Sequence, residues 1–124
     1  MTTKTILVVD DSAVMRKLIS TALADENYQV LLAADGKAAL EQAAKADADL
    51  VLTDWNMPTM DGHQLIRALR QLDSYAATPI LVLTTEASDV GKADARAAGA
   101  SGWLRKPVEP AMLLEVVASL LDVE

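Results

Sequence analysis

Three short runs, Thr5–Asp10 (TILVVD), Leu50–Asp54 (LVLTD) and Ile80–Thr85 (ILVLTT), constrain this chain most. Each is rich in Leu and β-branched residues without polar alternation, the pattern of a strand buried on both faces of a parallel sheet. Tyr28–Ala33 and Gly102–Lys106 are mixed or short and suit sheet edges. Helical stretches lie between the strands. Val14, Leu18, Ile19 and Leu23 predict the buried face of the first helix, with Ser12 near its N-cap. Leu65, Ile66, Leu69 and Leu72 predict the same for the third. A helix between each pair of strands forces parallel pairing through right-handed crossovers. The expected fold is a five-stranded α/β sandwich with helices on both faces. A chain of 124 residues is the size of one domain, and no repeat, linker or low-complexity segment divides it. Residues 1–124 are therefore read as a single domain with no effector domain.

Two helices are weakly specified. The second, over Gly36–Ala46, is mostly alanine. The fourth, over Ala87–Ala98, carries one large apolar residue, Val90, and an interior Gly91 that costs about 1 kcal/mol relative to alanine. Little buried area is expected to anchor the fourth, which places it among the less stable parts of the fold.

Charge and composition exclude several functions. Eighteen acidic residues face eleven basic ones, and the net charge of −7 repels nucleic-acid phosphates and anionic lipid surfaces. The chain has no cysteine, which rules out a thiol nucleophile, a zinc-thiolate site and a disulfide framework. There is no leader pattern and no apolar run long enough to cross a bilayer. A cytoplasmic protein that binds no nucleic acid and inserts in no membrane is expected.

Ligands of an open α/β sheet sit at the carboxyl ends of its strands. Here the first strand ends in Asp10-Asp11, the third in Asp54, the fourth in Thr84, and the fifth in Lys106 followed by Pro107. If the strands lie in the order 2-1-3-4-5, Asp54 has the paired acids about 4.8 Å away on one side and Thr84 equally near on the other. Lys106 lies two strands off, roughly 10 Å by backbone, a span that a long, flexible cation covers. Three carboxylates in one pocket repel one another by about 4 kcal/mol per pair at 4 Å and an effective dielectric near 20. A hard divalent cation such as Mg²⁺ relieves that repulsion. The set reads as a phosphoryl-transfer site. Asp54 is the nucleophile, ionised at neutral pH, while Mg²⁺, Lys106 and the Thr84 hydroxyl stabilise the oxygens of a loose transition state. Any one of these acids alone would more often cap a helix; four successive strand ends together are hard to explain as caps.

The segments VVDDSAVMR, TDWNMPTMDG, LTTEA and GASGWLRKP resemble the response-regulator receiver domains of two-component signalling, over Ile6 to about Leu121. The likeness is to the single-domain chemotaxis (CheY-like) type. It implies a flavodoxin-like three-layer sandwich and supplies the strand order 2-1-3-4-5. It further implies that Asp54 accepts a phosphoryl group from a phosphohistidine on a sensor histidine kinase. Asp11, Asp54 and the backbone carbonyl of Asn56 would bind Mg²⁺, with Asp10 acting mainly through water. Thr84 and Lys106 match the switch hydroxyl and the phosphate-binding lysine, and Lys106-Pro107 matches a cis peptide bond. Asn56 and Glu86 occupy positions that set the dephosphorylation rate, and their identities imply a short-lived signal. Output by conformational change at the helix 4, strand 5 and helix 5 face is also implied, acting on a downstream target such as the flagellar motor switch. One departure stands out. The aromatic switch position, often Tyr or Phe, is Trp103, whose ring is bulkier and offers a donor without an acceptor.

On this reading the chain is not an enzyme with turnover of its own. It is a monomeric phosphoacceptor module with intrinsic Mg²⁺-dependent phosphotransfer and autodephosphorylation. A phosphorelay shuttle to a histidine phosphotransferase is an alternative. An aspartyl-phosphate phosphohydrolase is another, although Asp54-Trp55-Asn56 lacks a second acid two residues on. His63, the one histidine, reads as a solvated residue of the third helix. The last helix begins at Pro110, and its apolar residues from Met112 to Leu121 span about half the circumference. That arc fits either deep burial or a docking face.

Overall fold

The computed structural model describes residues 3–57, 59–85 and 89–121, with side chains unassigned also at 89–92. Among the described residues five strands alternate with five helices: β1 (Thr5–Val9), α1 (Ala13–Asp25), β2 (Gln29–Ala33), α2 (Gly36–Lys45), β3 (Leu50–Asp54), α3 (Gly62–Arg70), β4 (Ile80–Thr84), α4 (Asp89–Ala98), β5 (Gly102–Arg105) and α5 (Pro110–Leu121). A single 3₁₀ turn, Asp73–Tyr75, joins α3 to β4. The strands form one parallel sheet in the order β2-β1-β3-β4-β5, as expected.

Strand alternation divides the interior in two. Leu7, Val9, Val51, Ile80 and Val82 face a core completed by α2, α3 and α4, with Ala39, Ala43, Leu65, Ile66, Leu69, Ala95 and Ala98. Ile6, Val8, Leu50, Leu52, Leu81 and Leu83 face a second core with Ile19 and Leu23 of α1 and Leu113 and Val117 of α5. This is why the three central runs show no polar alternation: both faces of β1, β3 and β4 are covered. The edge strands β2 and β5 are only partly buried, in keeping with their mixed sequences.

Local chemistry sets the helix ends. Ser12 caps α1 by accepting from the Met15 N–H, and Asp35 caps α2 through the Ala38 N–H. Asp61 and Gln64 form a reciprocal capping box at the start of α3. Tyr75 locks the lower edge of the sheet, its buried hydroxyl accepting from the Ala48 N–H at 3.0 Å and donating to the Ala46 carbonyl at 2.7 Å.

Two expectations need correction. Val14 is 77% exposed and Leu18 43%, so only Ile19 and Leu23 of the predicted α1 stripe are buried. The helix turns its i, i+4 pair Val14 and Leu18 outward, because α5 and the sheet contact the Ile19–Leu23 side. Leu72 lies beyond the end of α3 and is half-exposed. α5 buries Leu113 and Val117 fully and Leu114, Val116, Leu120 and Leu121 in part, leaving Met112 exposed. The Val90 and Gly91 side of α4 lies outside the described side chains, as Glu86 lies outside the described residues.

Candidate functional site

The strand register brings the predicted residues together. Val9 pairs with Thr53, so Asp10, the next residue of the β1 segment, lies level with Asp54 at the end of β3. Asp54 pairs with Leu83, placing Thr84 one residue further along the neighbouring strand, and Thr84 pairs with Arg105. The Lys106 N–H continues that ladder by donating to the Thr84 carbonyl at 2.8 Å. Lys106-Pro107 is a cis peptide bond.

Carboxylate oxygens of Asp10, Asp11 and Asp54 lie within 4.8 Å of one another. Asp10 is fully buried, Asp54 nearly so, and Asp11 is exposed. The Lys106 ammonium crosses from β5 to sit 3.0 Å from Asp10 Oδ2 and 3.2 Å from Asp54 Oδ2. The Ser12 N–H donates to Asp10 Oδ1 at 2.8 Å, and Arg16 Nη1 donates to the Asp10 carbonyl at 2.6 Å. The Asp10 carboxylate is thus bonded through both oxygens, to the Ser12 N–H and to Lys106. No sequence pattern marks the Arg16 contact, since a side chain one helical turn on can bind a strand-end carbonyl only once the β1–α1 turn is formed.

Burial pushes the Asp54 carboxyl above the usual carboxylate range. Lys106 opposes that rise, Asp10 adds to it, and the backbone N–H of Asn56 holds it down. Burial alone would lower Lys106, but its bonds to Asp10 and the charges of Asp54 and Asp10 outweigh that and raise it. At neutral pH Lys106 is a fixed cation between two acids.

Backbone packing holds Asp54 in place. Gly62, the first residue of α3, donates its N–H to the Trp55 carbonyl at 2.8 Å. A Cβ there would come 2.7 Å from the Asp54 carbonyl oxygen and 2.9 Å from Trp55 Cα, so only glycine lets α3 start this close to β3. Thr59, in the loop between them, has φ +71°, a left-handed conformation uncommon for a β-branched residue. His63 is not simply solvated: it is half-buried and meets the Trp55 ring edge-on, with centroids 5.8 Å apart. Asn56 is exposed at the rim and Thr84 is buried. Trp103 is half-buried and packs against the core of the α2–α4 face, with the Arg96 guanidinium 5.3 Å from its ring centroid.

Three carboxylates and one ammonium leave two negative charges, matched to a divalent cation, and the donors are the oxygens that Mg²⁺ prefers. The residues present therefore fit such an ion.

A family model for the response regulator receiver domain matches residues 6–118. The chain is 38% identical over 122 residues to the chemotaxis protein CheY1 of Helicobacter pylori, covering 94% of this chain and 98% of that protein. Its fold superposes on the chemotaxis protein CheY4 of Vibrio cholerae with a TM-score of 0.94 at 43% identity, over 96% of this chain and 99% of that one. The receiver domain of a sensor histidine kinase from Pseudomonas aeruginosa, which holds a magnesium ion in its active-site cleft, matches with a TM-score of 0.90 at 29% identity. That match covers 98% of this chain and all of that one.

Proposed function

This chain belongs to the response regulator receiver domain family, and from that premise we propose that it accepts a phosphoryl group on Asp54 from a phosphohistidine of a sensor kinase. The observation that carries the reading is the placement of a buried, ionisable carboxylate against a lysine ammonium and two further acids at the carboxyl edge of a parallel sheet. Asp54 Oδ attacks phosphorus, the bond from phosphorus to the donor nitrogen breaks, and the nitrogen leaves with its electron pair. No general base is required, because the attacking carboxylate is already ionised. Asp10, Asp11, Asp54 and the Asn56 carbonyl are the groups that would hold Mg²⁺. When bound, that ion supplies charge neutralisation at the phosphoryl oxygens. Lys106, 3.2 Å from Asp54, would pair with a phosphoryl oxygen, and the Thr84 hydroxyl would bond another.

The output reading is a conformational change at the α4, β5 and α5 face, in chemotaxis, given the likeness to CheY1 and CheY4. Asn56 and Glu86 set the lifetime of the signal. The domain acts as a monomeric phosphoacceptor and not as an enzyme with turnover of its own.

Time-resolved transfer from a radiolabelled, autophosphorylated histidine kinase tests this assignment. Label should appear on this chain and decay to inorganic phosphate. Passage of label onward to a histidine phosphotransferase would make it a relay shuttle. Sustained hydrolysis of p-nitrophenyl phosphate without a kinase would make it a phosphohydrolase.

A further inference from the structure

α4 is held firmly at its C-terminal end. Gly99 follows the helix at φ +117°, and its carbonyl accepts from Arg70 Nε at 3.1 Å and Nη2 at 2.6 Å. Arg70 Nη1 donates to the carbonyls of Tyr75 at 2.8 Å and Thr78 at 2.7 Å, so one half-buried guanidinium ties α4 to the α3–β4 connection. Burial lowers the Arg70 pKa, yet an arginine keeps its charge, and a cation at a helix C-terminus is favoured by the helix dipole. Ala95 and Ala98 pack this same end into the core. Arg96, one residue after Ala95 and exposed, lies over Trp103.

We propose that Arg96 is a positioning residue for the switch: by stacking on Trp103 it holds the aromatic ring and the last turn of α4 together in the resting arrangement. The inference rests on Asp54 being the phosphoacceptor. The contact is geometrically specific. A guanidinium within about 6 Å of a tryptophan face is attracted by the ring quadrupole, and tryptophan is the aromatic that binds cations best. Arg70 ties the end of α4 through the Gly99 carbonyl, so a displacement of Trp103 that the helix end does not follow breaks the stack. The stack thus biases the equilibrium toward rest. At a solvent-exposed site such a contact shifts a two-state ratio by about two- to five-fold. By linkage, anything that binds the activated arrangement is weakened by the same factor.

Arg96→Met keeps the length and the apolar contact and removes the cation. Beryllofluoride binding at saturating Mg²⁺, followed by the fluorine resonance of the bound complex in a Trp55→Phe background, reads the consequence. The expected result is binding about two- to five-fold tighter in R96M than in the Arg96 protein. Loss of a positive charge would by itself weaken binding of an anion, so tightening cannot come from simple electrostatics. Arg96→Lys, which keeps a cation over the ring, should return the affinity toward that of the Arg96 protein. Beryllofluoride is expected to change the acrylamide quenching of Trp103, and metal-free R96M should show part of that change. Unchanged or weaker binding in R96M would overturn the positioning role. Failure of the Arg96 protein itself to bind beryllofluoride would instead overturn the phosphoacceptor reading.

Discussion

Replacing Asp54 by Asn should make the metal-free protein more stable, and the geometry of the pocket indicates by how much. Carboxylate oxygens within 4.8 Å of one another repel by at least about 3.5 kcal/mol at an effective dielectric near 20, which applies to the buried pair Asp10 and Asp54. Asp11 is exposed, and its repulsion falls to about 0.9 kcal/mol at the dielectric of water. Against these stands the attraction of Lys106 at 3.2 Å, about 5 kcal/mol at the same effective dielectric of 20. Charge terms therefore cancel to within about 1 kcal/mol. The cost of burying the Asp54 charge, which is the largest influence on its pKa, decides the sign. Asp54→Asn is expected to stabilise by about 1 kcal/mol in chelator-containing buffer at neutral pH, read as a rise in the urea midpoint. The pH dependence follows from the raised pKa. A carboxyl whose folded pKa exceeds its unfolded value of 3.8 penalises the fold above the folded pKa and ceases to do so below 3.8. The gap between variant and wild type should accordingly shrink as the pH falls through that window. Asp10→Asn should act oppositely. Asp10 is fully buried and carries both Lys106 and the Ser12 N–H, so its loss destabilises, by about 3 kcal/mol in the manner of a broken buried pair. A lower urea midpoint for Asp54→Asn than for wild type, metal-free at neutral pH, would refute the reasoning.

Two further outcomes are expected. Tyr75→Phe should cost about 1–3 kcal/mol in urea unfolding, because it leaves the buried Ala48 N–H without its acceptor. Lys106→Ala should still take up phosphate from a small acyl-phosphate donor, but Trp103 quenching should no longer change on phosphorylation, and intact-mass and quenching measurements on one sample separate the two effects.

Much of the fold could be read along the chain because burial on both faces leaves an unmistakable run in β1, β3 and β4. Strand ends were also legible, since Asp10 and Asp54 terminate two such runs, Thr84 stands near the end of the third, and Lys106 closes the short fifth strand. What escaped the sequence depended on tertiary choices. The α1 stripe was ambiguous because Val14 and Leu18 share a helical side, and only the position of α5 decides that Ile19 and Leu23 face inward. Arg70 is a basic residue in the last turn of α3, a position that by itself says nothing of its partners. Its carbonyl partners lie on segments up to 29 residues away, beyond any local pattern. The Arg96–Trp103 stack was hidden for a related reason: a helix-to-strand contact across a glycine turn has no periodic signature. The order of the strands came from family resemblance, because periodicity fixes which segments are strands but not which are neighbours.

The claim that this fold assembles a phosphoacceptor at Asp54 is tested most directly by intact-protein mass spectrometry after incubation with acetyl phosphate. With Mg²⁺ present, wild type should gain the mass of one phosphoryl group. With chelator in place of Mg²⁺ it should gain far less, and Asp54→Asn should gain none under either condition. Stoichiometric labelling of Asp54→Asn in the presence of Mg²⁺ would contradict the account.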